Sequence, residues 1–147
     1  MKKFSFSLDS VLSYKNEVLE SLKNEHGKLL KNVVDQENYI DSLNQQYNNC
    51  NQEFNEKKKN GITIVEASIY EAYFRQMENN LKKEHTKLEK FKELAEQKRK
   101  EVVEAKKDTS SIEKLKEKKI EEYNKEVQKF EEANIEEFVS ISRIMNA

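Results

Sequence analysis

The fold is decided by the stretch Lys59-Asn60-Gly61-Ile62-Thr63-Ile64-Val65-Glu66, which is the one turn signal between two long helical repeats. Asn60 and Gly61 tolerate the left-handed backbone that reverses a chain. Thr63 and Glu66 have the spacing of a capping box, in which a hydroxyl and a carboxylate each accept a hydrogen bond from a backbone amide. The stretch therefore predicts a turn over residues 58–63, between a helix over residues 7–57 and a second helix over residues 64–142.

A repeat of mostly apolar residues, at alternating steps of four and three, runs along the chain on both sides of this turn. A seam of this period makes one helix wind around another, and a short link makes the two helices antiparallel. The predicted fold is all-α, a single coiled-coil domain that forms a long antiparallel two-helix hairpin with an overhanging C-terminal helical segment. The repeat falls on Leu8, Leu12, Lys15, Leu19, Leu22, His26, Leu29, Val33, Gln36, Ile40, Leu43, Tyr47, Cys50 and Phe54, and then on Tyr70, Phe74, Met77, Leu81, Glu84, Leu88, Phe91, Ala95, Lys98, Val102, Ala105, Thr109 and Ile112.

Folding the chain about residue 61 predicts which residues face each other across the seam. Phe54 is expected opposite Ser68, and everything after about Lys118 is expected to have no partner within the chain. The repeat also changes near that point, because the apolar positions from Ile112 to Ile120 are two steps of four apart. Such a stutter locally unwinds a supercoil.

Three local features of the predicted helices leave alternatives open. Asp108-Thr-Ser-Ser111 are poor helix formers and Ser110 can cap a new helix, but we expect the second helix to continue through them. Gly27 is either a tolerated weak point of the first helix or a place where a partner helix approaches closely. The side chain of Ser7 or Asp9 is expected to cap the start of the first helix.

The composition fits long, wet helices better than a compact globule. Charged residues make up 37% of the chain and hydrophobic residues 35%, against usual values of about 25% and about 45–50%. The 27 basic and 28 acidic residues nearly cancel, so the one-sided field that attracts nucleic acid is missing. The lone cysteine, Cys50, is expected to act as a small buried hydrophobe. The N-terminus lacks the apolar run of a signal peptide or membrane span, which predicts a cytoplasmic protein.

The sequence does not indicate a catalytic or metal site. A two-helix seam leaves little room for a pocket with convergent polar groups. His26 and His85 lie far apart in the predicted hairpin, and His26 occupies a core position where a polar residue often specifies register. Gly61 stands outside any glycine-rich phosphate loop. We therefore expect no enzymatic activity, no cofactor, no metal and no small-molecule substrate.

Two groups of apolar residues indicate contacts with other proteins. Near the turn, Tyr73 lies just off the core stripe, as either a partner-binding anchor or overflow from the core. The predicted overhang carries more apolar residues than a chain leaves in water, so they should meet another protein or a second copy. Its acidic polar face argues against a membrane surface. The apolar residues of the overhang are Ile120, Tyr123, Val127, Phe130, Ile135, Phe138, Ile141 and Ile144.

Four segments, in this order and spacing, carry a resemblance to a known family. They are Phe4-Ser-Phe-Ser-Leu-Asp-Ser-Val-Leu12, then Asn60-Gly61-Ile62 with the aromatic segment from Tyr70, then Arg99–Lys119, and last the acidic and apolar end Glu131–Phe138. Together they resemble the flagellar export protein FliJ family over essentially the whole chain. That family folds as an antiparallel two-helix coiled coil that is similar to the central stalk, or gamma subunit, of rotary ATPases.

The resemblance implies a non-enzymatic component of the flagellar type III protein export apparatus, needed for flagellum biogenesis and motility. Its implied partners are the hexameric export ATPase, the export gate membrane protein and substrate chaperones, which places it in the cytoplasm at the inner face of the cell membrane. The implied gate contacts are Leu43, Tyr70, Tyr73 and Met77. The implied ATPase contacts are Phe4, Leu8, Ile120, Tyr123, Val127, Phe130, Phe138 and Ile141. Cys50, Asn80 and Glu84 differ in type from the family's gate patch.

Two functions from different classes stay open at this point. A stalk-like adaptor predicts a protein that is monomeric in isolation, with its overhang free for the ATPase. A self-associating coiled-coil scaffold or filament protein predicts that the overhang pairs with a second copy. Light scattering on the purified protein separates them, since a concentration-independent dimer favours the scaffold.

Overall fold

The computed structural model describes residues 1–146, which form two α-helices and no strand. Helix α1 is Asp9–Asn60 and helix α2 is Ile64–Met145. The two long helices pack together, which confirms the predicted all-α hairpin. Helix α1 ends three residues later than the sequence predicts. Its last turn holds Lys57, Lys58 and Lys59, whose charges favour the negative end of the helix dipole and so extend the helix to the glycine.

The link between the helices is only Gly61–Thr63. Gly61 has a φ of +97°, a conformation in which a Cβ atom is strained, and this ends α1. Thr63 starts α2, since its Oγ1 accepts a hydrogen bond of 3.1 Å from the Glu66 amide and its carbonyl accepts one of 3.0 Å from Ala67. The return bond of the predicted capping box, from the Thr63 amide to the Glu66 carboxylate, is absent from residues 1–146.

The prediction that Ser7 or Asp9 caps helix α1 is wrong. Neither side chain accepts a hydrogen bond from a backbone amide within the described part of the chain. The first helical bond runs instead from the Leu12 amide to the Leu8 carbonyl, at 2.8 Å. The Asp9 carboxylate lies 2.9 Å from Lys116 Nζ, and this ion pair with α2 replaces the local cap.

The chain divides into two compact units, which we describe separately. The turn unit is Leu22–Val102, and the terminal unit is Met1–Ser21 together with the chain from Val103 onward. In the turn unit the two helices run antiparallel across a buried seam. A polar pair crosses this seam, because buried Gln36 donates from Nε2 to the Glu84 carbonyl at 3.0 Å and to Glu84 Oε2 at 2.6 Å. The buried apolar residues of the seam are Ile40, Leu43, Phe54, Met77, Leu88 and Ala95.

Five aromatic residues pack together at the end of the seam nearest the turn, and we call them the aromatic cluster. Phe54 is its most buried member; its ring stacks on Tyr70 with centroids 4.8 Å apart and lies 5.8 Å from Phe74. Phe74 also contacts the rings of Tyr47 and Tyr73, at 5.1 and 6.0 Å. Phe54 stacks on Tyr70 rather than on Ser68, and Gln36 bonds to Glu84, so these two pairs lie two residues to either side of those that folding about residue 61 predicts. The link Gly61–Thr63 is centred on Ile62, one residue beyond the assumed fold point.

In the terminal unit, α2 continues through Asp108–Ser111 without interruption, as predicted. The hydroxyls that favour other conformations are satisfied within the helix. Thr109 Oγ1 donates to the Ala105 carbonyl at 2.8 Å and Ser111 Oγ to the Lys107 carbonyl at 3.0 Å. Thr109 is only 2% exposed, so it belongs to the core of this unit together with Leu12 and Leu19. Ser110 does not begin a new helix.

The prediction that residues after about Lys118 have no partner places the start of the overhang too early in the chain. Tyr123 contacts the N-terminal segment, with its ring 5.6 Å from that of Phe4 and its hydroxyl donating to the Lys2 carbonyl. Tyr123 and Val127 are half-buried, whereas Phe130 is 48% exposed. The overhang therefore begins after Val127. The segment ahead of α1 accounts for this difference, because Lys2 and Phe4 contact Tyr123.

The two glycines of the chain give a matched test of the turn. Gly61→Ala should lower the free energy of unfolding by about 1–2 kcal/mol, because a Cβ atom meets nothing within 4 Å and only the backbone strain acts. Gly27→Ala should raise it by about 1 kcal/mol, since this helical position is equally open and alanine favours the helix. Urea unfolding followed by circular dichroism measures both. A Gly61→Ala protein as stable as the parent would contradict the role of the positive φ.

The aromatic cluster gives a second test, of core packing. Phe54→Ala should lower the free energy of unfolding by about 3 kcal/mol, because it removes a ring that is 6% exposed and contacts both Tyr70 and Phe74. Tyr39→Ala is the control, since Tyr39 is 50% exposed, and its effect should stay within about 0.5 kcal/mol. Equal effects at the two positions in the same unfolding assay would show that the cluster does not hold the turn unit together.

Candidate partner-binding surfaces

The residues that the sequence analysis singled out as candidate contacts lie in both units of the described chain. Residues 1–146 contain no group of three metal-ligating side chains, and neither helix has a stretch long and apolar enough to cross a membrane. His26 is half-buried in a shallow groove that Glu96 and Arg99 also line. Arg99 forms two hydrogen bonds with Glu96, of 2.9 and 2.8 Å, which lower the pKa of the Glu96 carboxyl. His85 lies elsewhere and is exposed, so the two histidines do not meet.

The four residues predicted to contact the export gate all lie in the turn unit, but not all lie on its surface. Leu43 and Met77 are 8% and 6% exposed and belong to the seam. Tyr70 and Tyr73 are half-buried in the aromatic cluster. Tyr70 contacts Phe54 of the opposite helix, whereas Tyr73 contacts Phe74 on its own helix. Leu43 and Met77 therefore belong to the core of this region. Any contact surface here must include other, more exposed residues.

The hydroxyl groups of two tyrosines in this region form hydrogen bonds to carboxylates. Tyr70 donates a hydrogen bond of 2.9 Å to Glu53 Oε1. Tyr47 donates one of 3.2 Å to Glu78 Oε1, and this bond to a carboxylate raises the pKa of Tyr47. Nearby, partial burial raises the pKa of the Cys50 thiol, which is half-buried at its core position. These side chains connect the two helices of the turn unit.

Exposed residues on α2 beside this region form a surface that the sequence analysis missed. Val65 and Ile69 are 70% and 65% exposed, and with Tyr73 they follow one another at steps of four along α2. Residues at steps of three and four share one face of a helix. No charged residue falls on this face between residues 65 and 80, although 37% of the chain is charged. We call it the uncharged face, and it consists of Val65, Ser68, Ile69, Ala72, Tyr73, Gln76, Asn79 and Asn80.

The eight residues predicted to contact the ATPase all lie in the terminal unit, and the structure separates them into two groups. Phe4, Leu8, Tyr123 and Val127 are half-buried, and Phe4 and Tyr123 contact each other. The other group is exposed and lies on α2, with Ile120 at 36%, Phe130 at 48%, Phe138 at 71% and Ile141 at 51%.

Most of the exposed group continues the seam of α2 beyond its last partner. Phe130, Phe138, Ile141 and Met145 lie on the face that carries Tyr123 and Val127, and Asn134 and Glu137 interrupt this face between Phe130 and Phe138. We call the four apolar residues from Phe130 to Met145 the C-terminal stripe. Met145 is 79% exposed and was missed in the sequence analysis, although it lies four residues after Ile141. Over the described residues, nothing in the chain covers the stripe, as expected for a surface that meets another molecule.

The first eight residues, Met1–Leu8, form what we call the N-terminal strap. Phe4, Phe6 and Leu8 are half-buried, and the intervening Ser5 and Ser7 are exposed. The strap and α2 line a common surface groove, to which α2 contributes Leu115, Lys119, Glu122, Tyr123 and Glu126. The strap therefore covers the part of the α2 face that directly precedes the C-terminal stripe.

Comparison with known proteins identifies the family of the chain. No curated protein and no solved structure gives a significant match to the chain. The family described as "Flagellar FliJ protein" matches residues 4–146, which is nearly the whole chain and includes both helices, the turn and the C-terminal stripe. The chain therefore belongs to the flagellar FliJ protein family, whose members are non-catalytic components of the flagellar export apparatus.

Proposed function

We propose that this protein is a stalk-like adaptor that binds the hexameric export ATPase and couples it to the export gate and to substrate chaperones. The observation that carries the proposal is the C-terminal stripe. Its four large apolar residues are between 48% and 79% exposed, yet they continue a seam that is covered elsewhere in the same unit. An amphipathic helix with an uncovered apolar face fits a groove or ring in another protein.

The contribution of such a helix is mechanical and needs no bound cofactor. Inside a ring of identical subunits, the stripe and the polar faces beside it present a different surface to each subunit. A ligand that contacts several states unequally shifts their populations, so an asymmetric helix biases the subunits one after another. This role needs the stripe to be exposed, and it needs no catalytic group on the adaptor itself.

The uncharged face supports the second half of the proposal, contact with the export gate membrane protein. Interface cores are depleted in charge and enriched in aromatic and aliphatic residues. Val65, Ile69 and Tyr73 provide such a core, and Gln76 and Asn80 provide uncharged polar groups at its edge. We place the gate contact on this face. Leu43, Tyr70 and Met77 then act as the core that supports the face and not as its contact residues. Substrate chaperones are the third proposed partner, and the protein is then cytoplasmic and held at the inner membrane face by the gate.

The C-terminal stripe makes a direct prediction about the ATPase. Ile141→Ser should weaken binding to the purified hexamer by more than about tenfold, because it removes an anchor from the exposed stripe. Val139→Ser is the matched control, since Val139 is 40% exposed in the same overhang but lies off the stripe, and it should change the affinity less than about twofold. Biolayer interferometry with immobilised adaptor measures both affinities.

Two results would count against this assignment. Equal losses for Ile141→Ser and Val139→Ser would show that no particular face of the overhang binds. A concentration-independent dimer in light scattering that Ile141→Ser dissociates would favour the self-associating scaffold, because the stripe would then cover a second copy.

The uncharged face makes a separate prediction about the gate. Ile69→Asp should weaken binding to the purified cytoplasmic part of the gate by about tenfold or more, because it buries an unpaired carboxylate in an apolar contact. Leu94→Asp is the control in the same unit, since Leu94 is 49% exposed outside this face, and it should leave the affinity unchanged. Both variants should unfold like the parent protein. A normal affinity for Ile69→Asp would place the gate contact elsewhere.

A further inference from the structure

The N-terminal strap occupies a surface that the proposed function requires. Tyr123 and Val127 lie on the same face of α2 as the C-terminal stripe, and they extend it towards the body of the terminal unit. The strap covers this extension. Phe4 packs its ring at 58° to that of Tyr123, with centroids 5.6 Å apart, and the Lys2 carbonyl accepts a hydrogen bond from the Tyr123 hydroxyl.

The strap is held by few interactions. Residues 1–6 form neither helix nor strand, so they lack the backbone hydrogen bonds that fix the helices. The backbone bonds recorded for the strap are at its far end, where Asp9 donates to the Phe6 carbonyl at 3.1 Å and Leu12 donates to the Leu8 carbonyl. Ordering such a segment costs conformational entropy, and its apolar side chains are only half-buried in return. A segment with few contacts opens at far lower cost than the fold as a whole.

The charges of the strap do not fix it in place either. No ion pair joins Lys2 or Lys3 to another residue in the part of the chain that the structure describes. Asp9, just after the strap, pairs with Lys116 and anchors the start of α1 independently. Residues 1–6 are thus weakly held and are attached through Leu8 to a firmly held helix, so opening them leaves the seam from Leu8 onward in place.

We propose that the N-terminal strap is a removable cover, which closes over the Tyr123 face in the free protein and leaves it when the ring partner binds. This inference rests on the proposed function, because the competing surface is the one assigned to the export ATPase. In the closed state only the C-terminal stripe is available. In the open state Tyr123 and Val127 join the stripe, and Phe4 is released to bind beside them. Covering the site lowers the apparent affinity in proportion to the closed fraction.

Tyr123→Phe tests the cover while keeping the aromatic ring for the partner. It removes the hydroxyl that donates to Lys2, so the strap should open more often and a spin label attached at Ser5→Cys, in a Cys50→Ser background, should become more mobile. The affinity for the purified hexameric ATPase should rise by about two- to tenfold, as expected for the loss of one hydrogen bond that holds the cover. Tyr14→Phe is the control, since Tyr14 is 66% exposed in the same unit and forms no recorded hydrogen bond.

Locking the strap tests the same idea from the other side. Ser5 and Glu122 line the same groove, so Ser5→Cys and Glu122→Cys in the Cys50→Ser background can be joined by a reducible thiol cross-linker. The locked protein should bind the ATPase at least tenfold more weakly than the unlinked one, and reduction should restore binding. The unlinked double variant is its own control.

The outcomes separate this inference from the proposed function. Locked protein that binds as tightly as unlinked protein overturns the cover, and so does a Tyr123→Phe protein whose label is mobile but whose affinity is not raised. A label that stays immobile in Tyr123→Phe shows that this contact does not hold the strap, which also overturns the inference. Parent protein that fails to bind the ATPase overturns the proposed function itself, and the inhibitory role of the strap with it.

Discussion

Burial of the apolar seam on α2 depends on what lies opposite it. Helix α2 has 82 residues and α1 has 52, so α1 cannot cover the whole seam of its longer partner. The seam of α2 is covered in three different ways along its length. Helix α1 covers Met77 and Leu88, the N-terminal strap covers Tyr123 in part, and nothing in the described residues covers Phe138. Exposure of the seam is therefore graded, and the proposed contacts with the ATPase begin where coverage ends.

The second constraint is that the core between two helices is thin, so it encloses few side chains on all sides. Few side chains are well buried, and the polar ones among them, Gln36 and Thr109, both have hydrogen-bond partners. Gln36 bonds to the Glu84 backbone, which makes it sensitive to the position of one helix along the other in a way that interchangeable apolar contacts are not. A polar pair of this kind favours one register within the turn unit, and a fixed register keeps the uncharged face at a defined place on that unit.

The sequence predicted the helices and the turn because their signals are local. The repeat, Gly61 and Thr63 act through neighbouring residues, and the structure agrees with each of them. The register was predicted only to within about two residues, because long side chains also reach neighbours along the opposite helix, as Phe54 does to Tyr70 and Gln36 to Glu84. The N-terminal cap was predicted wrongly for a different reason. The Asp9 carboxylate can accept a hydrogen bond from a nearby amide or pair with Lys116. It pairs with Lys116, which is far away in sequence.

The candidate surfaces were predictable only in part. Searching for large apolar residues found Phe130, Phe138 and Ile141, since nothing in the described chain competes for them. The family resemblance implied Leu43 and Met77 as gate contacts, but the opposite helix buries both, because spacing from the turn does not separate a core position from a contact position beside it. The sequence analysis missed Val65 and Ile69, whose signal is an absence of charge along one helical face.

Graded coverage of the seam also gives an order to binding at the C-terminal end of α2. Apolar side chains that are already exposed lose water on contact without first giving up a partner, so Phe138 and Ile141 provide most of the gain in the first encounter. Tyr123 gains less, because its ring must leave Phe4 before it meets anything new. In the proposed complex, a partner that reaches Tyr123 must also displace the strap. The released strap then adds Phe4 to the proposed contact, beside the C-terminal stripe.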